Sequence, residues 1–187
     1  MKTPNEKMQQ ILAAAECIHP FSAIETALDK MAIEITKKLE DTNPIILCVM
    51  IGALIPTGHL VTRLKFPLQL DYIHATRYRG ATQGGELHWL VEPRNNLKDR
   101  TVLIVDDIMD GGLTLQAIID FCKKSGAKTV HTAVMVNKKR TREPGVNFEP
   151  DFSGLETENK FLIGFGLDYD EYLRNAPGIY AVAPEHQ

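Results

Sequence analysis

The segment VLIVDDIMDGGLTL, Val102 to Leu115, decides the fold of this chain. Four apolar residues, typical of a strand buried on both faces, run directly into the carboxylates of Asp106, Asp107 and Asp110. Two glycines and a threonine follow, and an apolar pattern with helical spacing then begins. The segment therefore predicts a strand, an acidic loop and a helix. Its three carboxylates at the end of a buried strand point to a ligand site.

The flanking sequence continues this alternation of strands and helices. Strands are predicted at 44–52, 70–78, 87–91, 101–105, 128–137 and 161–167, and helices at 54–64 and 113–124. Two helices are predicted before them, at 5–18 and from Ser22 to Leu39, where Ser22 and Glu25 match a capping box. Strands that alternate with helices form βαβ units. The chain is therefore predicted to be an α/β protein with a parallel sheet and flanking helices.

Polar residues follow three of the predicted buried strands. Gly52 follows the first strand, the acidic cluster the second and Lys138 the third. In parallel α/β sheets, ligands bind outside the carboxyl ends of the strands. Free N–H groups at a helix start after Gly111 and Gly112 favour a phosphate. Carboxylates beside a phosphate suit ribose hydroxyls or Mg²⁺. These strand ends predict one site for a phosphorylated ligand.

Two other interpretations of the acidic segment compete with this site. DDIMD matches the DDxxD magnesium-diphosphate motif of prenyl-chain synthases, but that motif lies on a helix, whereas this one joins a strand to a glycine loop. A solvated acidic turn accounts for DGG, because Asp and Gly are common turn residues. It does not account for the whole fourteen-residue pattern. The sequence also has no Walker A loop.

The composition sets the class of protein. A chain of 187 residues is most simply one domain, and its net charge of −3 argues against a nucleic-acid binder. No apolar run is long enough to span a membrane. Three widely spaced cysteines predict reduced thiols in a cytoplasmic protein, without a disulfide framework or zinc site. The histidines share no metal-ligand spacing.

VLIVDDIMDGGLTL resembles the phosphoribosyl-pyrophosphate (PRPP) signature of type I phosphoribosyltransferases. The resemblance covers most of the chain and is strongest to bacterial hypoxanthine-guanine phosphoribosyltransferases, in CVMIGALIPTGHL, ATRY, VNKK and KFLIGFGLDYDEYLRNAPGIYAV. It implies a single domain, 1–187, with a parallel-sheet core at about 40–140. It also implies a flexible hood loop at about 77–90 and a small base-binding hood from 1–20 and 145–187.

The resemblance implies purine salvage with Mg²⁺, in which hypoxanthine or guanine displaces pyrophosphate from PRPP and gives IMP or GMP. Asp106 and Asp107 would hold the ribose hydroxyls, directly or through Mg²⁺. Asp110 would be the catalytic residue that handles a proton at N7 of the purine. The 5′-phosphate would lie in a cradle made by Gly111, Gly112, Leu113 and Thr114.

The remaining implied roles fall outside the signature. Pyrophosphate would contact Ile51, Gly52 and Arg174, and Asp168 would bind a Mg²⁺. The purine would contact Lys138, Phe161 and Leu162. Arg77 and Tyr78 would belong to the hood loop.

Several of these assignments have plainer alternatives. A slip of one residue in the alignment would select Lys139 instead of Lys138. Phe161 lies in an apolar stretch, where an aromatic residue is usually part of the core, and Tyr78 would suit a sheet edge as well as a hood. Asp168 and Arg174 have the spacing of an ordinary surface pair on a helix, which contributes little to stability.

The chain also departs from the family pattern. Ile51 and Ala53 replace Lys or Asn and Gly in the pyrophosphate loop, which is also implied to contain a cis peptide before Gly52. Leu113 replaces a Lys or His of the phosphate loop. The resemblance implies a homodimer or homotetramer and leaves other functions open. These are a preference for xanthine or for hypoxanthine alone, or a nucleotide-sensing regulator that keeps the PRPP fold.

Overall fold

The computed structural model describes residues 3–77 and 87–187, with the backbone alone at residues 76, 77 and 87. Its helices and strands are, in chain order, α1 (Pro4–Ala14), β1 (Glu16–His19), α2 (Phe21–Leu39), β2 (Ile45–Met50), α3 (Leu54–Val61), β3 (Gln69–Arg77), β4 (Leu87–Val91), β5 (Thr101–Met109), α4 (Leu113–Lys124), β6 (Thr129–Lys138), β7 (Phe152–Thr157), β8 (Leu162–Ile163) and β9 (Ile179–Ala181). Over these described residues, no helix combines the length and apolar character needed to cross a membrane.

The central sheet has six strands in the order β4-β3-β2-β5-β6-β7. Strands β3, β2, β5, β6 and β7 are parallel, and β4 is antiparallel to β3. The predicted α/β fold with a parallel sheet is therefore confirmed. Because β2, β5 and β6 are neighbours, their carboxyl ends lie side by side at one edge of the sheet.

Helices cover both faces of this sheet. Ile46 and Leu103 belong to the core formed with α2 and α3, whereas Leu47 and Ile104 belong to the core formed with α4. Successive residues of a strand point to opposite faces. Burial on both faces therefore explains why β2 and β5 are continuous apolar runs.

A second, antiparallel sheet joins the two ends of the chain in the order β1-β9-β8. Helix α1 packs on it through Met8 and Ile11, which contact Ile163 and Val182. Residues 16–19 and 162–181 thus form one small unit beside the central sheet. Strand β7 was expected in the base-binding hood, but it extends the central sheet by pairing with β6. Likewise 87–90, the end of the expected hood loop, lies in β4.

Several predicted element boundaries were wrong. Strand β5 runs to Met109, so Asp106 and Asp107 belong to the end of the strand and not to a loop, and α3 ends at Val61 instead of Leu64. Helix α1 ends at Ala14, because Ala15 is extended and the next residues pair with β9. Helix α2 begins at Phe21 with Pro20 as its N-cap, and no side chain caps it. Ser22 therefore lies inside the helix, and Glu25 forms an ion pair with Arg63 at 2.7 Å.

The predicted strand 161–167 is reduced to the two residues of β8. Gly164 and Gly166 have positive φ angles of 92° and 106°, which end the strand and turn the chain back.

Candidate active site

A cavity of about 540 Å³ opens at the carboxyl ends of β2 and β5. Its walls are the loop after β2, the acidic end of β5, the first turn of α4 and two later loops. Many of the residues singled out from the sequence line it: Ile51, Gly52, Asp106, Asp107, Asp110, Gly111, Gly112, Leu113, Thr114, Asp168 and Arg174. The fold therefore brings residues as distant in the chain as Ile51 and Arg174, 123 positions apart, into one cleft.

The loop between β5 and α4 forms the floor of this cleft. Gly112 is the N-cap of α4 with φ 87°, a conformation that side chains disfavour. A Cβ atom there would lie 2.6 Å from Met109 and 2.9 Å from Val146. Because the first N–H groups of a helix have no partner within it and carry positive charge, the α4 terminus can bind a phosphate.

Two adjacent carboxylates stand at the end of β5. Asp106 is 9% exposed, and its carboxylate accepts a hydrogen bond from the backbone N–H of Asp107 at 2.9 Å. Burial, and then the negative charge of Asp107, raises the pKa of Asp106 well above its usual range. Burial also raises the pKa of Asp107, although a hydrogen bond with Asp106 and the charge of Arg174 oppose the rise. A cation or hydroxyl donors would relieve this repulsion.

Because the pKa of Asp106 is raised in the folded protein, the stability of the protein should decrease as pH rises. The unfolded chain ionises Asp106 in the ordinary range, whereas the folded chain keeps the proton to higher pH. The folded state then binds more protons, so the free energy of unfolding decreases as pH rises between the two pKa values. We expect Asp106→Asn to remove this loss of stability and so to raise the melting temperature of the ligand-free protein at pH 8. The rise should be about 2–4 °C for each kcal/mol of unfolding free energy that is regained.

Thermal melts at pH 5 and pH 8 test this prediction, with Asp41→Asn at an exposed position as the matched control. The gain should be larger at pH 8, and the variant should bind PRPP more weakly because a site residue is lost. A melting temperature that falls equally at both pH values would contradict it.

Gly52 leaves room for Asp107. A Cβ atom on Gly52 would lie 1.9 Å from Oδ2 of Asp107, a distance that no packed pair of atoms adopts. The peptide bond between Met50 and Ile51, just before this glycine, is cis. The loop after β2 is therefore in direct contact with the acidic end of β5.

We expect Gly52→Ala to displace Asp107, because the added methyl group and the carboxylate cannot occupy the same space. Overpacking of this kind costs about 1–3 kcal/mol of stability, and we expect weaker PRPP binding with it. Gly58→Ala is the matched control, since a Cβ there meets no atom within 4 Å and alanine favours helix α3 by up to about 1 kcal/mol. Melting curves and PRPP titration calorimetry check both variants, and equal behaviour would refute the steric argument.

Arg174 holds the loop after β8 together through contacts with Asp168 and Gly166. Its Nη2 lies 2.9 Å from Oδ1 of Asp168, and its Nη1 donates to the carbonyl oxygen of Gly166 at 2.6 Å. Gly166 in turn contacts Gly52 in the loop after β2. A Cβ atom added to Gly166 would lie 2.2 Å from the carbonyl oxygen of Gly52. Residues 168–174 form turns and one isolated bridge between Tyr169 and Tyr172, with no helix. The alternative of a surface pair on a helix is therefore wrong, and the guanidinium faces the cleft.

Lys138 ends β6 beside the phosphate loop. It is 8% exposed, and its Nζ lies 3.1 Å from Oδ2 of Asp110. Lys139 instead points away and pairs with Glu156 on the surface at 3.3 Å. Of the two lysines, Lys138 is the one that contacts Asp110, a residue of the cavity lining.

Three residues of the segment after β6, Arg140, Arg142 and Glu143, were not predicted from the sequence to lie at the site. Arg140 pairs with both Asp110 and Glu143, at 2.8 and 2.9 Å. Arg142 donates to the carbonyl oxygens of Asp110 and Lys138, each at 3.0 Å, and so joins the ends of β5 and β6. A run such as KKRTR usually forms a solvated face, and its composition does not indicate which cations turn inward.

A family model for the phosphoribosyl transferase domain matches residues 15–170. The chain belongs to the phosphoribosyltransferase family. The hypoxanthine-guanine phosphoribosyltransferase of Lactococcus lactis is 33% identical over 152 residues, 81% of each chain. The hypoxanthine-guanine-xanthine phosphoribosyltransferase of Tritrichomonas foetus is 30% identical, over 83% of this chain and 85% of that one. A hypoxanthine phosphoribosyltransferase structure from Staphylococcus aureus shares the fold, with a TM-score of 0.88, 23% identity and 98% coverage of both chains.

Two further predicted site residues of this phosphoribosyltransferase, Phe161 and Leu162, are like Lys138 not among the residues that line the cavity. Phe161 is 44% exposed, with its ring edge-on to Tyr169 at 5.8 Å, so the alternative of a core residue is wrong. Leu162 is buried in β8. Arg77 ends β3, and its side chain, like all of Tyr78, lies outside the described residues.

The carboxylates of this phosphoribosyltransferase suit a magnesium ion that the substrate helps to bind. In the described part of the chain, no three His, Cys, Asp or Glu side chains form a ready-made metal site. Mg²⁺ usually takes one or two carboxylates and completes its shell with water and substrate phosphates. Asp106 and Asp107 offer such carboxylates, and Asp168 is close enough to raise the pKa of Asp107.

Proposed function

We propose that this phosphoribosyltransferase salvages purines, transferring the 5-phosphoribosyl group of PRPP to hypoxanthine or guanine. The products are IMP or GMP and pyrophosphate. The observation that carries this proposal is the buried ammonium of Lys138, which pairs with Asp110 of the cavity lining at 3.1 Å. An ammonium donates hydrogen bonds only, so it recognises a 6-oxo group and disfavours the 6-amino group of adenine. The names of the Lactococcus and Tritrichomonas relatives support the same class of substrate.

PRPP would lie across the cleft with its 5′-phosphate at the start of α4. Backbone N–H groups from Gly111 to Thr114 would hold that phosphate. Asp106 and Asp107 would bind the ribose hydroxyls, directly or through Mg²⁺. A magnesium ion held by these carboxylates or by Asp168 would supply positive charge to the pyrophosphate.

The pyrophosphate group would face the loop after β2. Ile51 and Gly52 offer main-chain groups there, and the Arg174 guanidinium enters the same cavity. The side chain of Ile51 carries no charge, so Arg174 would provide the positive side chain on this side of the cleft. These contacts strengthen as negative charge develops on the departing pyrophosphate.

In the transfer step, the bond from C1′ of the ribose to pyrophosphate breaks and a bond from C1′ to N9 of the purine forms. A proton on N7 of the purine passes to Asp110, which is the proposed catalytic residue. Phe161 would stack on the base, and the backbone at Leu162 would bind its pyrimidine edge. Arg77 and Tyr78 would belong to a hood that closes over the reaction and excludes water.

Xanthine is a second candidate base. It carries the same 6-oxo group, so Lys138 does not distinguish it from hypoxanthine or guanine. The 30% identity to a hypoxanthine-guanine-xanthine enzyme favours testing it.

A homodimer or homotetramer is also proposed. Four large apolar side chains near the start of α3 and on β3 are exposed: Ile51, Leu54, Leu70 and Tyr72. A cavity of about 590 Å³ opens among most of them. Exposed apolar groups that lie together mark association surfaces. Light scattering at several concentrations tests this proposal.

We propose a cytoplasmic location, because the cysteines suit a reducing compartment. All three are free thiols, and Cys48 and Cys122 are buried. Burial raises the pKa of Cys122 to about 12, which keeps this thiol protonated and unreactive.

Pyrophosphate release tests the proposed function. PRPP and Mg²⁺ are supplied with hypoxanthine, guanine, xanthine or adenine separately. Turnover with hypoxanthine and guanine but not adenine supports salvage of 6-oxopurines, and strong use of xanthine widens the substrate range. Tight PRPP binding without release for any base would indicate a nucleotide-sensing regulator instead.

A further inference from the structure

The guanidinium of Arg140 contacts two carboxylates, those of Asp110 and Glu143. Its Nη1 lies 2.8 Å from Oδ1 of Asp110, and its Nη2 lies 2.9 Å from Oε1 of Glu143. Glu143 is itself fixed, because its backbone N–H donates to the carbonyl oxygen of Gly111 at 3.0 Å. The guanidinium therefore bridges Asp110, just after β5, and Glu143, in the segment after β6, with charge-assisted hydrogen bonds, which are the stronger kind.

The other oxygen of Asp110 has a different partner. Lys138 donates to Oδ2 at 3.1 Å, and Arg142 donates to the backbone carbonyl of Asp110 at 3.0 Å. Each of the three oxygen atoms of Asp110, two in the carboxylate and one in the backbone carbonyl, thus has its own cationic partner. Burial works to raise the pKa of Asp110, but hydrogen bonds from Lys138 and then Arg140 lower it below its usual range. The carboxylate is ionised and both of its oxygens are occupied.

Binding of a purine must free one of these oxygens. Under the proposed function, Lys138 turns to the oxygen at C6 of the purine, and its contact with Oδ2 is then exchanged for one with the base. Oδ2 of Asp110 then becomes the free oxygen, whereas the contact between Arg140 and Oδ1 is unchanged by this exchange. Without Arg140 the carboxylate would rotate about its last bond at the moment when Lys138 leaves.

We propose that Arg140 is a positioning residue, which holds Oδ1 of Asp110 so that Oδ2 alone faces N7 of the purine during transfer. This inference rests on the proposed function. Arg140 acts through Asp110 and need not touch the substrate. A direct contact with a phosphate of PRPP, or a purely structural role in the loop, would have different consequences.

A double-mutant cycle separates these roles. Turnover at saturating PRPP and hypoxanthine is measured for the wild type, Arg140→Ala, Asp110→Asn and the double variant. We expect Arg140→Ala to lower kcat about tenfold in the wild-type background and to have no further effect once Asp110 is Asn, because residues that act as a unit are not additive. Equal effects in both backgrounds would overturn the inference, and so would a change in the KM for PRPP alone.

Matched variants address charge and folding. Lys139→Ala removes one positive charge from the same segment, where Lys139 pairs only with Glu156 in the described part of the chain, and its kcat should stay within about twofold of wild type. Arg140→Lys keeps a cation for Asp110 and should recover most of the lost kcat. If Arg140→Ala does not fold, Arg140→Gln keeps the length of the stem and takes its place in the cycle.

A measurement without turnover distinguishes failure of the inference from failure of the proposed function. The carboxyl carbon of Asp110 is titrated by ¹³C NMR in the wild type and in Arg140→Ala. Loss of a cation that favours the ionised form should raise the pKa of Asp110. An unchanged pKa would overturn the inference even in an active enzyme. If the wild type is inactive but the pKa of Asp110 rises in Arg140→Ala, the proposed purine substrate is rejected. Arg140 then remains the residue that positions Asp110.

Discussion

We expect Asp110→Asn to lower kcat by about 10²- to 10⁴-fold, the usual contribution of a positioned acid or base. Asn has nearly the same shape as Asp but cannot take a proton from N7 of the purine. The KM for PRPP should change little, because phosphate binding rests on the backbone of the loop and the start of α4. Pre-steady-state measurement of the first turnover separates the transfer step from product release.

Asp110→Asn also removes the negative partner of two cations, and this side effect needs a control. Lys138 is buried and would lose its ion pair, so the melting temperature should fall. Asp120→Asn is the matched control, since Asp120 is exposed on α4 and bonds to Gln116. Asp110→Glu keeps the charge and moves the oxygens by one methylene, so its kcat should also fall. An unchanged kcat in Asp110→Asn would remove the catalytic role.

The second large effect is expected for Lys138→Ala. Loss of a hydrogen bond to a charged group costs about 1.5–3 kcal/mol, which corresponds to about 10- to 100-fold in kcat/KM for hypoxanthine. The effect should appear in use of the base and not in PRPP binding. Lys139→Ala is the control, because it removes the same side chain from the neighbouring surface position.

The comparison of these two lysines also tests the alignment. A defect in Lys139→Ala with a normal Lys138→Ala would show that the roles are reversed. Lys138→Met retains the apolar stem and guards against loss of packing at this buried position. Adenine use should remain low in all variants, because removing a cation creates no acceptor for the 6-amino group.

The central sheet was predictable because its signals are local. Strands β2 and β5 are continuous apolar runs, and the glycines after Asp110 mark the loop before α4. Strands β5 and β6 are neighbours joined through α4, whereas β5 lies beside β2 because the chain returns to the middle of the sheet after β3 and β4. Ligands of parallel sheets bind at the carboxyl ends of such strands. The cleft at their carboxyl ends was therefore expected before any coordinates were known.

The small sheet was not predictable in the same way. Strands β1 and β9 have four and three residues, and their pairing joins Glu16 to Ala181 across most of the chain. Residues 16–18 continue an apolar pattern that suits a helix, so only the partner strand decides their conformation. Tertiary context overrides local preference in segments this short.

By itself the sequence determined the α/β fold, the carboxylates at the carboxyl end of β5 and the resemblance to a phosphoribosyltransferase, because these depend on runs and spacings within short segments. Only the tertiary structure decided that Lys138 and not Lys139 meets Asp110, that Arg140 pairs with Asp110, and that Gly52 leaves the space that the Asp107 carboxylate occupies. Each of these depends on atoms that approach within about 3 Å from distant positions in the chain, and such contacts leave no periodic trace along the sequence.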